Sequence, residues 1–189
     1  MPASAWSERG RCPAARDWPQ RREAGLAEIQ QGRWTAEIEG DFVVFLIGAR
    51  VNKPWQLVKV LKDLGGRRSM GYMLKYLTEH PERGLLGYET MGTVNVQYWR
   101  SFDHLEAFAK DQDDPHLAAW RTYWKRVGKD TRAGIWHETF LVRDGEYEAM
   151  YGNMPVRGLA KASKSVRVAD SVGARQRIRG AVGRAADAS

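Results

Sequence analysis

The sequence predicts an α+β domain with the element order β-α-β-β-α-β. Three observations carry this. A β-rich apolar run, Asp41–Val51, precedes two stretches of helical periodicity. Two short β-like runs then hinge at Gly92. A further helical stretch leads to a last strand, Ala133–Arg143. At 189 residues the chain fits one domain with tails. A hydrophobic content of 43% is enough to give that domain a core.

Each element has its own signal. Asp41–Val51 reads as a buried strand that Asn52-Lys53-Pro54 breaks. Trp55–Leu64 reads as a helix with Trp55, Val58 and Leu61 three apart, and Gly65-Gly66 interrupts it. Met70, Met73, Leu74 and Leu77 recur at i, i+3, i+4 and i+7, which marks a helix with one apolar face. Leu85–Met91 and Thr93–Arg100 form the hairpin. Ser101 is placed to cap a helix Phe102–Lys110, with Asp103 in its first turn. Asp114-Pro115 is a second helix start. Leu117, Trp120, Trp124 and Val127 give that helix an apolar stripe, and Gly128 ends it. Ala133–Arg143 closes the order, with Asp144-Gly145 as a turn. The arrangement is the split βαβ, or ferredoxin-like, pattern. One sheet face carries the helices; the other needs cover, and a homodimer would supply it.

The flanks read differently. Residues 1–30 form a disordered or loosely docked N-terminal segment, residues 31–161 the domain, and residues 162–189 a basic flexible tail. Gly173, Gly180 and Gly183 argue against a helix near Val172–Val182. The net charge of +7 sits mostly in the tail. Residues 1–40 balance six arginines against six acids, and residues 41–155 sixteen Lys and Arg against fifteen acids. Residues 156–189 hold eight against two. The tail can therefore touch nucleic acid nonspecifically, while the domain itself is nearly neutral. Having little apolar side chain to bury, the tail is expected to be removable from Ala162 onward. Cys12 is the single cysteine, so no intrachain disulfide or multi-cysteine metal site can form. The N-terminus lacks an apolar signal core, and Phe42–Val51 is too short and too broken to span a membrane as a helix. The expectation is a soluble, cytoplasmic protein with no membrane partner.

Candidate chemistry lies on two strands. The last strand carries His137 beside Glu138 where packing alone would favour Val, Ile or Thr. Alternation puts Ile135, His137, Thr139 and Leu141 on one face and Trp136, Glu138 and Phe140 on the other. His137 and Glu138 are therefore not a direct acid–base pair, and Glu138 fits a salt bridge with a nearby arginine. His137 can act as a general base, bind haem or a metal, or be a satisfied half-buried histidine. The strand Thr93–Arg100 turns Thr93, Asn95, Gln97 and Trp99 one way and Val94, Val96 and Tyr98 the other. Its polar row can bind a substrate, face water or meet a wet dimer interface. His80 and His104 read as surface residues, and His116 follows the Asp114-Pro115 start. No HExxH motif, P-loop, GxSxG elbow or GxGxxG after a strand is present.

Five segments together resemble a known family. They are FLIGARVNKPW (45–55), GLLGYETMG (84–92), VQYWRSFDHLEAFAKDQDDPHLAAW (96–120), GIWHETF (134–140) and YEAMYGNMPVRGL (147–159). Over roughly Phe42 to Ala160 the chain resembles the DUF4188 group, whose fungal members are described as monooxygenases of a fumagillin pathway. The resemblance implies a dimeric α/β-barrel. That superfamily includes cofactor-independent monooxygenases, haem-degrading enzymes and aldoxime dehydratases. It also implies His116 as the nearest equivalent of a proximal haem ligand.

Three functions follow as expectations. The first is a monooxygenase-like enzyme oxidising a small hydrophobic or aromatic metabolite in secondary metabolism. His137 or His116 would be its base, and Asn95, Gln97, Trp99 and Tyr98 would orient the substrate. The second is a haem-binding enzyme with His116 or His137 as axial ligand. The third is a non-catalytic small-molecule-binding module. The cofactor is thus none or haem.

Overall fold

The computed structural model describes residues 27–64, 70–111, 121, 123–125, 127, 130–169 and 173–178. The protein is α+β with antiparallel strands. In chain order the strands are β1 (Gln30–Glu37), β2 (Phe42–Val51), β3 (Leu85–Met91), β4 (Val94–Trp99), β5 (Ala133–Val142), β6 (Tyr151–Met154) and β7 (Lys164–Arg167). The α-helices whose residues are described throughout are α1 (Leu57–Asp63), α2 (Met70–Glu79), α3 (Phe102–Lys110), α4 (Gly158–Ala162) and α5 (Ala174–Arg177). The chain divides into two compact units: Phe42–Leu141, and Met1–Asp41 with Val142–Ser189.

The Phe42–Leu141 unit holds a four-stranded sheet in the order β3-β4-β2-β5. Gly92, at φ +61°, turns β3 back as β4 in a conformation that a side chain resists. On β4 the residues facing inward are buried: Asn95, Gln97 and Trp99. Register sets Val43 of β2 opposite Trp99, Phe45 opposite Gln97 and Ile47 opposite Asn95. The core is built on this face. Trp99 is fully buried and packs with Val43, Met73, Leu77, Leu105 and Phe108. The methionine stripe of α2 faces the core as its spacing predicts, with Met73, Leu74 and Leu77 buried.

Helix α1 is turned the other way from its expected face. Trp55, Val58 and Leu61 are exposed, and Val60 and Asp63 are the buried residues. The cause is a buried ion pair. Asp63 lies 3.2 Å from Arg132, which also meets Asp130 at 3.0 Å, and Asp130 receives Lys53 at 3.2 Å. Burying a carboxylate on α1 is tolerable only where a cation meets it, so Asp63 fixes the rotation of the helix. Val60 then packs with Tyr123, Val127 and Ala133. Tyr123 thus takes the inward position expected of Trp124, which is exposed and packs edge-on against Tyr123. Asp114-Pro115, Leu117 and Trp120 lie outside the described residues.

The other unit holds a three-stranded sheet in the order β6-β1-β7, with β1 antiparallel to both neighbours. Residue 162, the expected start of a flexible tail, lies just before strand β7. Lys164–Arg167 pair with Glu37–Trp34 of β1, and Val168 N–H donates to Arg33 O at 2.9 Å. Backbone hydrogen bonds hold this segment, so its sparse apolar side chains do not register its order. Residues 143–161 likewise belong with β1 rather than with the Phe42–Leu141 unit. Arg177, on the single-turn helix α5, donates from Nε to Glu148 Oε1 at 2.8 Å. Asn153 takes a left-handed φ of 49° and accepts Gly32 N–H on its Oδ1 at 2.8 Å. Residues 1–26 and 179–189 lie outside the described residues.

Helix α3 starts as its sequence signals. Ser101 Oγ accepts His104 N–H at 3.3 Å. The same Oγ lies 2.7 Å from His104 Nδ1. His104 is half-buried rather than exposed, and Gly84, at φ +89°, is the space for its ring: a Cβ there would come within 2.5 Å of it. Burial, and then the charge of Arg100, hold His104 below its usual pKa of 6.5, against the opposing pull of Asp103. The neutral ring can accept the Ser101 hydroxyl proton at Nδ1.

Two predictions follow. Ending the chain at Ser163 removes β7 from β1, and thermal melting is expected to fall by about 5 °C or more. An unchanged melting curve would return the segment to the status of a dispensable tail. On acidification the unfolded chain protonates His104 near 6.5, and the folded chain only at lower pH. The contribution of His104 is therefore intact above about 6.5 and lost as pH falls through the folded value. Urea unfolding across this range should show wild type losing stability relative to His104→Gln. Parallel curves for the two proteins would count against it.

Candidate functional site

Between the inward sheet face and helices α2 and α3 of the Phe42–Leu141 unit lies a cavity of about 210 Å³. The sheet supplies Phe45, Ile47, Gln97, Trp99, His137 and Thr139. The helices supply Met70, Met73, Leu77, Leu105 and Phe108, with Phe102, Glu106 and Ala109 also lining it. Strand alternation explains the selection. Phe45 and Ile47 share the β2 face that looks at the helices, and His137 and Thr139 share the matching face of β5. Apolar cavities of about 150 Å³ can accept a benzene ring, so this one has room for a one-ring molecule.

The polar groups of the cavity are few and differently placed. Gln97 is buried in the middle of the sheet. Its Oε1 accepts Trp99 Nε1–H at 3.0 Å, and its Nε2 lies 3.6 Å from Met70 Sδ. His137 is exposed, with its ring tilted against Phe45 at a centroid distance of 5.5 Å. Thr139 is exposed on the same strand. Glu106 is held by Lys110 one turn further along α3, at 2.7 Å, so the one acid among the described lining residues comes with its own counter-charge.

The structure brings Gln97, Trp99 and His137 together around this cavity. It separates the other candidates. Asn95 shares the buried face but lies outside the lining, and its Oδ1 accepts the Thr90 hydroxyl from β3 at 2.7 Å. Tyr98 belongs to the opposite face of β4, by strand alternation. His116 lies outside the described residues. His80 stacks on Tyr76 at 4.2 Å, with Nδ1 2.8 Å from Tyr76 O, as part of the turn after α2. The polar row of β4 thus faces helices rather than water. Phe45, Thr139 and Glu106 were not singled out by sequence. Thr139 shares the His137 face by simple alternation, and Phe45 is read from the register of β2.

A haem does not fit the described lining. The cavity is smaller than the roughly 300–1,000 Å³ of sites for drug-sized ligands. Its lining contains no Lys or Arg to receive two propionates, and His137 is the one histidine in it. Among the described residues, no group of three or more His, Cys, Asp or Glu is placed to hold a metal ion. No helix among them is long and apolar enough to cross a membrane.

Comparison with known proteins places this geometry in a family. Monooxygenase af470 of Aspergillus fumigatus is 28% identical over 149 residues, covering 68% of this chain and 53% of the relative. The chain therefore spans about half the length of the curated relative it matches. A crystal structure of aldoxime dehydratase superposes at a TM-score of 0.39 with 14% identity, over 84% of this chain and 47% of that one, a likeness too loose to carry an assignment. Residues 42–159, which contain every described residue of the cavity lining, match the family model described as Monooxygenase af470-like, and the chain belongs to that family.

Proposed function

We propose that the protein is a monooxygenase-like catalyst that oxidises a small, hydrophobic or aromatic metabolite in the cavity between β2, β4, β5 and helices α2 and α3. The observation that carries this reading is the lining: an apolar chamber of about 210 Å³ with a histidine at its exposed edge. Family membership supports the reaction class. Secondary metabolism as the setting extends the same reading.

The residues suit a substrate that can give up a proton and then electrons. His137 is the base: it takes a proton from an activated C–H or O–H of the bound molecule. The resulting anion is the electron donor to O₂. For a substrate CH₂ group, four electrons leave carbon, one oxygen atom enters as C=O, and the other leaves as water. Phe45 and Trp99 hold the ring of the substrate, and the apolar walls give O₂ a place to dissolve. The position of His137 on a strand supports a positioned role.

Phenols and one-ring ketones under ¹⁸O₂, read by mass spectrometry, test this. One labelled oxygen per product molecule is expected, and His137→Ala should lower the rate by about 10²-fold or more with the melting temperature unchanged. No label in any product would leave the protein a binding module.

The fold also supports an assembly. The strand arrangement β3-β4-β2-β5, with helices between β2 and β3 and between β4 and β5, supports reading the Phe42–Leu141 unit as a ferredoxin-like domain. We propose that two copies join through the sheet face that carries Trp136 and Phe140, forming a dimeric α/β-barrel. Both side chains are large, apolar and exposed, and Trp136 lies against the backbone of Gly48, where a Cβ would come within 2.5 Å of its ring. Light scattering at micromolar protein should report a dimer, and Phe140→Glu should shift it to monomer. A monomeric wild type would remove the barrel.

A further inference from the structure

Trp99 and Gln97 decide what kind of molecule the cavity prefers. Trp99 is completely buried, and its indole nitrogen can only donate. Its Nε1 lies 3.0 Å from the end of the Gln97 side chain, which must therefore present its oxygen there. The amide of Gln97 cannot be turned round without setting donor against donor. Its Nε2, with two hydrogens, is left on the cavity side. The partner recorded there is Met70 Sδ at 3.6 Å, and a thioether is a weak acceptor on a flexible chain. Among the described residues, this buried amide donor thus faces an apolar chamber with one soft, movable partner.

Resting on the reading of this cavity as the substrate site, we infer that Gln97 is its specificity-determining donor, and that the substrate is an uncharged, mostly apolar molecule whose carbonyl-type oxygen binds Gln97 Nε2. Three observations shape this class. The cavity holds about one ring. Its described lining contains no Lys or Arg, and Glu106 is paired with Lys110, so no described lysine or arginine of the lining is there to favour a carboxylate or a phosphate. The donor lies inside the chamber, on a residue only 4% exposed, so the oxygen has to enter with the ring. Met70 gives way when it does. A molecule of the same shape without an acceptor would leave the amide with sulfur alone. That asymmetry is how buried polar groups discriminate between isosteres. The same donor also suits the reaction, because an oxygen that gains negative charge when a neighbouring C–H is deprotonated binds an N–H more tightly.

Acetophenone and α-methylstyrene are the test pair. They share one shape and differ by C=O against C=CH₂. Titration calorimetry on the full chain gives the ratio of their dissociation constants. In Gln97→Met the acetophenone preference is expected to fall by about ten-fold relative to wild type, with α-methylstyrene affinity little changed. Should that variant fail to fold because Trp99 loses its acceptor, Met70→Leu provides the second measurement. It removes the competing sulfur and should raise the preference for the ketone. In the wild-type chain the Gln97 side-chain amide resonances should move on adding acetophenone and stay in place on adding α-methylstyrene. An unchanged ratio in Gln97→Met, or in Met70→Leu if the first variant does not fold, overturns the inference, as does a Gln97 amide that ignores the ketone. In those cases the cavity still binds rings and the proposed site stands. If neither molecule binds, the cavity is not a substrate site and both readings fall.

Discussion

The fully buried indole of Trp99 is the constraint on which the Phe42–Leu141 unit depends. A side chain of this size must be packed on all sides, and its N–H must still find an acceptor. Val43, Leu105 and Phe108 meet the first demand and Gln97 the second. Because Gln97 sits two residues away on the same strand, meeting the second demand puts a second polar side chain into the interior. The inward face of β4 therefore cannot be wholly apolar. The chamber beside it inherits a polar group whose orientation is fixed before any ligand arrives.

The sequence made much of this legible, and the reasons are local. Ser101 caps α3 through a contact within its own first turn, so nothing distant has to be known. The methionine spacing of α2 and the glycine of the β3–β4 hairpin are local in the same sense. Alternation on β4 grouped Asn95, Gln97 and Trp99 on one face. What it could not say was that helices, rather than water, cover that face. Nor could it say that Asn95 would be engaged by Thr90 of the neighbouring strand.

The misreadings share one origin: a distant partner. The exposed stripe of α1 looks like a buried face by spacing alone. Only Arg132, far along the chain, makes Asp63 the inward residue. The strands β1, β6 and β7 were missed as a group. Each is short or weakly patterned, and each is held by hydrogen bonds to a segment remote in sequence. Composition marked residues 162–189 as basic and poor in large apolar side chains. A backbone ladder needs neither property.

The central position of β1 in its sheet has a kinetic consequence. Gln30 and Ser165, which share a side-chain hydrogen bond, lie 135 positions apart. A ribosome would release β1 long before it makes β6 or β7. Until then the strand has two unpaired edges and no sheet to join. The contacts of the Phe42–Leu141 sheet, by contrast, all lie within the stretch that emerges in between. Closing the longer loop carries the larger entropic cost, which favours forming the Phe42–Leu141 sheet ahead of the β6-β1-β7 sheet. During synthesis β1 is the segment most in need of protection from pairing with the wrong strand.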